Sequence, residues 1–253
     1  MARIIAFANQ KGGVGKTTSA VNITASMGIL GKKVLICDLD PQGNATSGFG
    51  INKKQIKSST YEVLIGFTPA ENAILPTKFE NISIIPSNIN LAGAEFDLYD
   101  MENRESRLKK ALEPIKDKFD YIVIDCPPSL GMLTVNALTC ADGVIIPMQC
   151  EFYALEGLGM LMGTTSKIKK LYNPDLEITG IVLTMYNGRL VLSMQVVSEL
   201  KKYYADKLFA TPVSRNVKLS EAPGFGMPVY YHDKYCKGAR EYMDIAKELI
   251  TRI

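Results

Sequence analysis

The stretch NQKGGVGKTT, residues 9–18, follows directly on the short apolar run RIIAFAN at 3–9. Gly15, Lys16 and Thr17 match the close of the pattern G-x-x-x-x-G-K-[ST]. Gln10 stands where the first glycine belongs, and a second lysine, Lys11, follows it. A strand, a glycine-rich turn and a helix opening at Lys16 or Thr17 form the context in which such a turn cradles phosphate. Consecutive N–H groups point inward, the helix N-terminus adds partial positive charge, and the glycines permit close approach. Lys16 is therefore expected on the β- and γ-phosphates of a nucleotide, and the Thr17 hydroxyl on Mg2+. The bland reading, a turn that merely joins strand to helix, does not account for Gly-Lys-Thr in this register.

Working outward, apolar β-branched runs recur at 33–40 (KVLICDLD), 82–87 (ISIIPS), 121–128 (YIVIDCPP), 143–149 (GVIIPMQ) and 178–186 (ITGIVLTMY). They are apolar on both faces, as strands of a parallel sheet covered by helices must be. The expectation is an α/β fold with a doubly wound, mostly parallel sheet, one domain over residues 1–253. Ala20, Ile23, Met27 and Leu30 recur at helical spacing after the glycine loop, with Gly31 placed to end the helix. Further helices are expected near 104–115, 153–172, 192–204 and 237–251. The segment 41–60 reads as a long irregular loop on the active face.

Composition narrows the class. At 253 residues, 47% hydrophobic and 22% charged, the chain has an ordinary globular balance. No apolar run is long enough to span a bilayer, and MARIIAFANQ does not resemble a secretory signal, so a cytoplasmic protein is expected. Five scattered cysteines, Cys37, Cys126, Cys140, Cys150 and Cys236, lack C-x-x-C spacing and read as reduced thiols, most of them buried. His232 has no nearby ligand partner and reads as a surface residue. A net charge of +3 does not by itself announce nucleic acid.

A second acid belongs with the loop. YIVIDCPP is an apolar strand ending in Asp125, the geometry by which phosphate-loop enzymes place a carboxylate near Mg2+, acting through water. The next residue is Cys126, so an acid often found there to activate water is missing. Asp38 and Asp40 in CDLDPQGN are the candidates to replace it.

Five ordered motifs, KGGVGKTT with its additional lysine, DLDPQGNATSG, IDCPPSLG, QCEFYALEGL and RNVKLSEAP, together resemble the chromosome- and plasmid-partitioning ATPases of the ParA/Soj family. That family lies within the wider deviant Walker group that includes MinD. The resemblance implies a weak ATPase that uses ATP and Mg2+, dimerises in its ATP state, binds double-stranded DNA nonspecifically and answers to a ParB/Spo0J-type activating protein. It implies a nucleoid-associated location. Lys11 would reach across the dimer interface to the partner's nucleotide. Gly12, Gly13, Val14, Gly15, Lys16, Thr17 and Thr18 would form the cradle. Asp125 would be the Walker B acid, Asp40 the group orienting the attacking water, and Asp38 would sit nearer the metal. Lys11, Lys16 and Asp40 are thus the expected catalytic groups. Two nucleotides facing each other concentrate negative charge, which a lysine from each subunit offsets where water is excluded. Base contacts fall near Ser214–Asn216, with Asn216 the expected contact.

What the ATP dimer holds separates the branches. A MinD-like protein ends in a basic amphipathic helix lying on a membrane. Here the last helix sets Ala239, Met243, Ala246 and Ile250 on one face and mixes Arg240, Lys247 and Arg252 with Glu241, Asp244 and Glu248 on the other. That pattern reads as a helix packed on the sheet, so no membrane is expected, and a MinD-like positioning ATPase is the alternative. DNA contacts are assigned to Arg189, Arg215, Lys218 and Lys237, phosphate contacts that read no sequence. An iron-sulfur reductase of the same superfamily would need paired cysteines between protomers; PSNINLAGAEFD has none, and Cys140 lacks a partner.

Overall fold

Apolar segments buried on both faces assemble into a seven-stranded sheet in a computed structural model that describes residues 1–253. The strands are β1 (Arg3–Phe7), β2 (Val34–Asp38), β3 (Leu75–Pro76), β4 (Ile82–Ile85), β5 (Tyr121–Asp125), β6 (Gly143–Gln149) and β7 (Glu177–Thr184). Their order is β3-β4-β2-β5-β1-β6-β7, and every pairing is parallel except that of the short edge strand β3 with β4. Every residue of β2 and β5 is buried, which explains why these runs show no alternation of polar and apolar residues.

The chain passes from β1 to one side and from β5 to the other. The connections therefore part at the centre of the sheet, where a crevice opens beyond the strands' carboxyl ends. The glycine loop and the exits of β2 and β5 all meet there.

The helix Lys16–Ile29 is buried along most of its length. It ends as the sequence indicates: Gly31 adopts φ +81°, its amide donates to the Gly28 carbonyl, and the Lys32 amide donates to the Met27 carbonyl. Leu30, expected in the apolar row, is instead partly exposed, because it caps the helix.

The helix Lys237–Arg252 packs against Lys16–Ile29, with the Tyr242 hydroxyl 3.1 Å from Ser19 Oγ. Its buried face is Ala239, Tyr242, Ile245, Ala246 and Leu249, rotated from the expected one; Met243 and Ile250 are only partly covered. Glu241, expected on the polar side, points inward and is 7% exposed. Arg252 folds back over the Phe209 ring and donates to the carbonyls of Thr179, Lys207 and Leu208. The apolar face of this helix is thus committed to the core, and no helix is long and apolar enough to cross a membrane.

Three further departures have physical causes. Met132–Cys140 is a helix that periodicity does not signal, because it is buried nearly all round and lacks a polar stripe. The segment 41–60 is not wholly irregular: Asn44–Gly48 forms a short helix, and Ser59 and Glu62 make a capping box that opens the helix Thr60–Ile65. In 104–115 only Arg107–Leu112 is α-helical, flanked by tighter turns, one of which carries Pro114. Cys37, Cys126 and Cys140 are buried, Cys150 and Cys236 partly so, and all five are free thiols.

Candidate functional site

The loop after β1 is set by its neighbours as much as by its glycines. Gly13 and Gly15 take φ +74° and +81°, which side-chain-bearing residues rarely adopt. Asn9 clamps the loop's start: its Oδ1 accepts from the Lys11 amide at 3.0 Å, and its Nδ2 donates to the Pro147 carbonyl at 2.8 Å. Thr184, at the end of β7, donates its hydroxyl to the Val14 carbonyl at 2.8 Å, and Gln149 Nε2 donates to that of Gly13 at 3.3 Å. The sequence does not single out Asn9, Gln149 or Thr184. They are ordinary polar residues at or just beyond strand ends, and only the sheet order brings them to the loop.

Lys16 is 6% exposed, and its ammonium donates to the Lys11 carbonyl at 3.0 Å. Burial pulls its pKa below the ordinary lysine value, an effect opposed chiefly by the nearby Asp125. Lys11 pairs with Glu151 of the same chain. Gln10, in the slot of the missing glycine, sits against Met160 of the helix Ala154–Leu171.

Three carboxylates gather beside Lys16 at the ends of adjacent strands. Asp38 and Asp125 are register partners across β2 and β5, and both are fully buried. Burial pushes Asp38 up to about 6, although Thr46 and the Asp40 amide hydrogen-bond to its charged form. Its Oδ2 accepts from the Thr46 amide and hydroxyl, each at 2.7 Å, and its Oδ1 from the Asp40 amide at 3.2 Å. Asp38 thus uses most of its roughly four acceptor positions inside the protein.

Asp125 is the opposite case: neither of its oxygens has a hydrogen-bond partner. Burial, and then the charge of Asp38, raises its pKa well above the ordinary value; the Thr17 hydroxyl beside it favours the charged form without reaching hydrogen-bond geometry. Asp40 is 7% exposed, and its Oδ1 accepts from the Gln42 amide at 2.8 Å. No group of three or more His, Cys, Asp or Glu side chains is arranged to hold a metal alone. A cation here would need oxygens from a ligand and water as well.

A cleft of about 300 Å3 continues from the loop, lined by Gly15, Thr18, Met185, Ser214 and Asn216 among others. The structure therefore brings Asn216 to the glycine loop from 200 residues away. Its Oδ1 caps the short helix Val217–Glu221 by accepting from the Lys218 amide at 2.9 Å. Ser214 is fixed by the inward-facing Glu241, to which its hydroxyl donates at 2.8 Å and its amide at 3.1 Å.

The four basic residues assigned to DNA divide into two sets. Arg189, Arg215 and Lys237 surround one open depression of about 480 Å3. Lys218 does not line it and instead pairs with Glu221 at 2.8 Å.

Comparison with known proteins places the chain in a family. The AAA domain family matches residues 2–178. Over 249 residues, 98% of each chain, the protein is 51% identical to the sporulation initiation inhibitor protein Soj of Bacillus subtilis strain 168. It is 47% identical over 250 residues to the chromosome partitioning protein ParA of Myxococcus xanthus, covering 99% of this chain and 88% of that one. Among solved structures, that of cobyrinic acid a,c-diamide synthase from Mycobacterium smegmatis, with a bound ATP analogue and magnesium, superposes with a TM-score of 0.86 at 38% identity. That superposition covers 99% of this chain and 95% of the other. With the extra lysine of its glycine loop, its strand-end aspartates and this full-length similarity, the chain belongs to the ParA/Soj family of deviant Walker partitioning ATPases.

Proposed function

We propose that the whole chain acts as one ATP-operated switch for chromosome or plasmid partitioning. ATP and Mg2+ bring two copies face to face, the pair binds double-stranded DNA without reading sequence, and hydrolysis releases it. Basal hydrolysis is slow and is stimulated by a ParB/Spo0J-type partner, so the protein is found on the nucleoid.

One observation carries this reading: a buried carboxylate, Asp125, with two unpartnered oxygens beside Thr17 and Lys16. An unpaired buried charge costs several kcal/mol, which a hydrated divalent cation would remove. The donor set suits Mg2+, which keeps several waters and takes one or two carboxylates together with phosphate oxygens. When bound, Mg2+ neutralises charge on the β- and γ-phosphates.

The protein's own residues do the rest. Gly12 and Gly13 are open, with nothing within 4 Å of an added Cβ, so backbone amides can approach phosphate. Lys16 exchanges the Lys11 carbonyl for phosphate oxygens, a stronger, charge-assisted partner. Val14 and Thr18 complete the cradle, and Asn216 contacts the base. Asp40 orients the attacking water. Asp38, already engaged by Thr46, serves as scaffold. Lys11 leaves Glu151 to reach the partner's nucleotide. Arg189, Arg215 and Lys237 share one depression suited to a phosphate backbone, with Lys218 beside it in function, not in place.

Co-sedimentation with DNA and with anionic liposomes, each with ATP and with ADP, tests the reading. ATP-dependent capture by DNA supports it. Capture by liposomes alone overturns it in favour of a MinD-like role.

A further inference from the structure

We infer that Thr46 and Ser87 are positioning residues for Asp40, a brace of two hydroxyls joining the exits of β2 and β4; this rests on the reading of Asp40 as the water-orienting group. Both residues are completely buried. Thr46 Oγ1 donates to Asp38 Oδ2 at 2.7 Å and accepts from the Ser87 amide at 2.8 Å. Ser87 Oγ donates to the Asp40 carbonyl at 2.8 Å, and the Asp40 amide donates to Asp38 Oδ1 at 3.2 Å. These contacts close a ring that runs Asp38, Thr46, Ser87, Asp40 and back to Asp38. It holds the Asp40 backbone at both its N–H and its C=O.

The ring's position gives it a consequence for the reaction. The Asp40 side chain accepts one hydrogen bond, from the Gln42 amide to Oδ1. Its direction is therefore set mainly by the backbone that the ring fixes. Misplacing a reacting group by about 1 Å can cost about 100-fold in rate, so a slackened backbone matters even when no catalytic atom is removed. The approach of the loop to β4 is itself built in. Gly43 takes φ +61°, and a Cβ there would lie 2.8 Å from the Ser87 carbonyl oxygen. Below the ring, Thr60 donates its hydroxyl to the Asp38 carbonyl at 2.7 Å and its amide to the Pro86 carbonyl at 2.8 Å, tying the same two strand exits a second time. Ser87 thus transmits the position of β4's exit to the catalytic carboxylate, although it lies 47 residues from Asp40 in sequence.

The test is single-turnover ATP hydrolysis together with fluorescent-nucleotide binding on Thr46→Val, Thr46→Ser, Ser87→Ala, Asp40→Ala and the Thr46→Val/Asp40→Ala pair. Thr46→Val and Ser87→Ala are expected to lower kcat about tenfold with KM and nucleotide Kd unchanged, the size of one lost buried hydrogen bond. Thr46→Ser restores the rate, and the double variant is no slower than Asp40→Ala alone. Ser87→Ala leaves the backbone contact to Thr46 in place, so it remains informative if Thr46→Val folds poorly. Unchanged kcat, a parallel loss of affinity, no recovery in Thr46→Ser, or additive losses in the pair would each overturn the brace. Wild-type hydrolysis by Asp40→Ala would instead remove the reading of Asp40 on which it rests.

Discussion

Replacing Asp125 with alanine should stabilise the nucleotide-free protein while weakening its response to Mg2+ and ATP. Asp125 is fully buried, with no partner for either oxygen. A buried, unsatisfied acceptor costs roughly 1–3 kcal/mol, more when charged. Deleting the carboxyl returns that cost and relieves repulsion with Asp38 and Asp40, which outweighs the lost attraction to Lys16, against a small cavity penalty of about 1 kcal/mol. The net gain is about 1–2 kcal/mol, a rise of roughly 2–8 °C in Tm for a chain of this size. The gain should depend on pH with a definite sign. Because folding raises the Asp125 pKa above its ordinary 3.8, the native state binds its proton more tightly than the unfolded chain, and wild-type stability falls as pH rises through that window. The advantage of the variant should therefore be small near pH 4 and widen towards neutrality. Scanning calorimetry in EDTA without nucleotide measures it. With Mg2+ and ATP at about 100 times the wild-type Kd the order should reverse, since the wild type gains about 2.7 kcal/mol and the variant, without the carboxylate that holds Mg2+, binds more weakly and gains less. An Asp125→Ala protein that melts at or below wild type in EDTA would refute the argument, because it would mean that the carboxylate is satisfied in the free protein.

Three further outcomes are expected. Lys11→Ala should still bind ATP, because Lys16 and the loop amides remain, but should fail to dimerise or hydrolyse; an ATP-dependent dimer seen by light scattering would show that Lys11 acts within its own subunit. Arg189→Ala should weaken DNA binding without changing dimerisation and should flatten the dependence of log K on log salt by about one unit, measured by anisotropy. Gly28→Ala should destabilise the protein by about 2 kcal/mol or more in denaturant titration, although alanine is normally favoured over glycine in a helix by about 1 kcal/mol. Its Cβ would lie 2.5 Å from the Glu80 carbonyl oxygen, so packing overrides propensity.

The sheet was legible because its strands carry the signal themselves: runs buried on both faces are apolar throughout, and each of the six expected runs holds a strand. β3 is not legible, because two residues, one of them Pro76, cannot show a pattern. Met132–Cys140 is not legible for a related reason, since a helix enclosed on nearly all sides shows no amphipathic period. The C-terminal helix is legible, but of its expected face only Ala239 and Ala246 are buried, and Tyr242, Ile245 and Leu249 take the place of Met243 and Ile250. Tyr242 enters the core because its hydroxyl finds Ser19, a partner that sequence spacing does not supply.

By itself the sequence determined the glycine loop, its two lysines and the strand-end aspartates, because phosphate binding after a strand requires those residue types at fixed short spacing. Tertiary structure alone decided which carboxylate is free. Asp38 and Asp125 read alike as acids ending apolar strands, yet Thr46 satisfies one of them, and the sheet order leaves the other buried without a partner. It also decided that Asn216 reaches the loop, that Thr184 and Asn9 hold it, and that Ser87 stands behind Asp40. Such contacts join residues far apart in the chain, and hydrogen bonding between them depends on strand order and register, which no local pattern encodes.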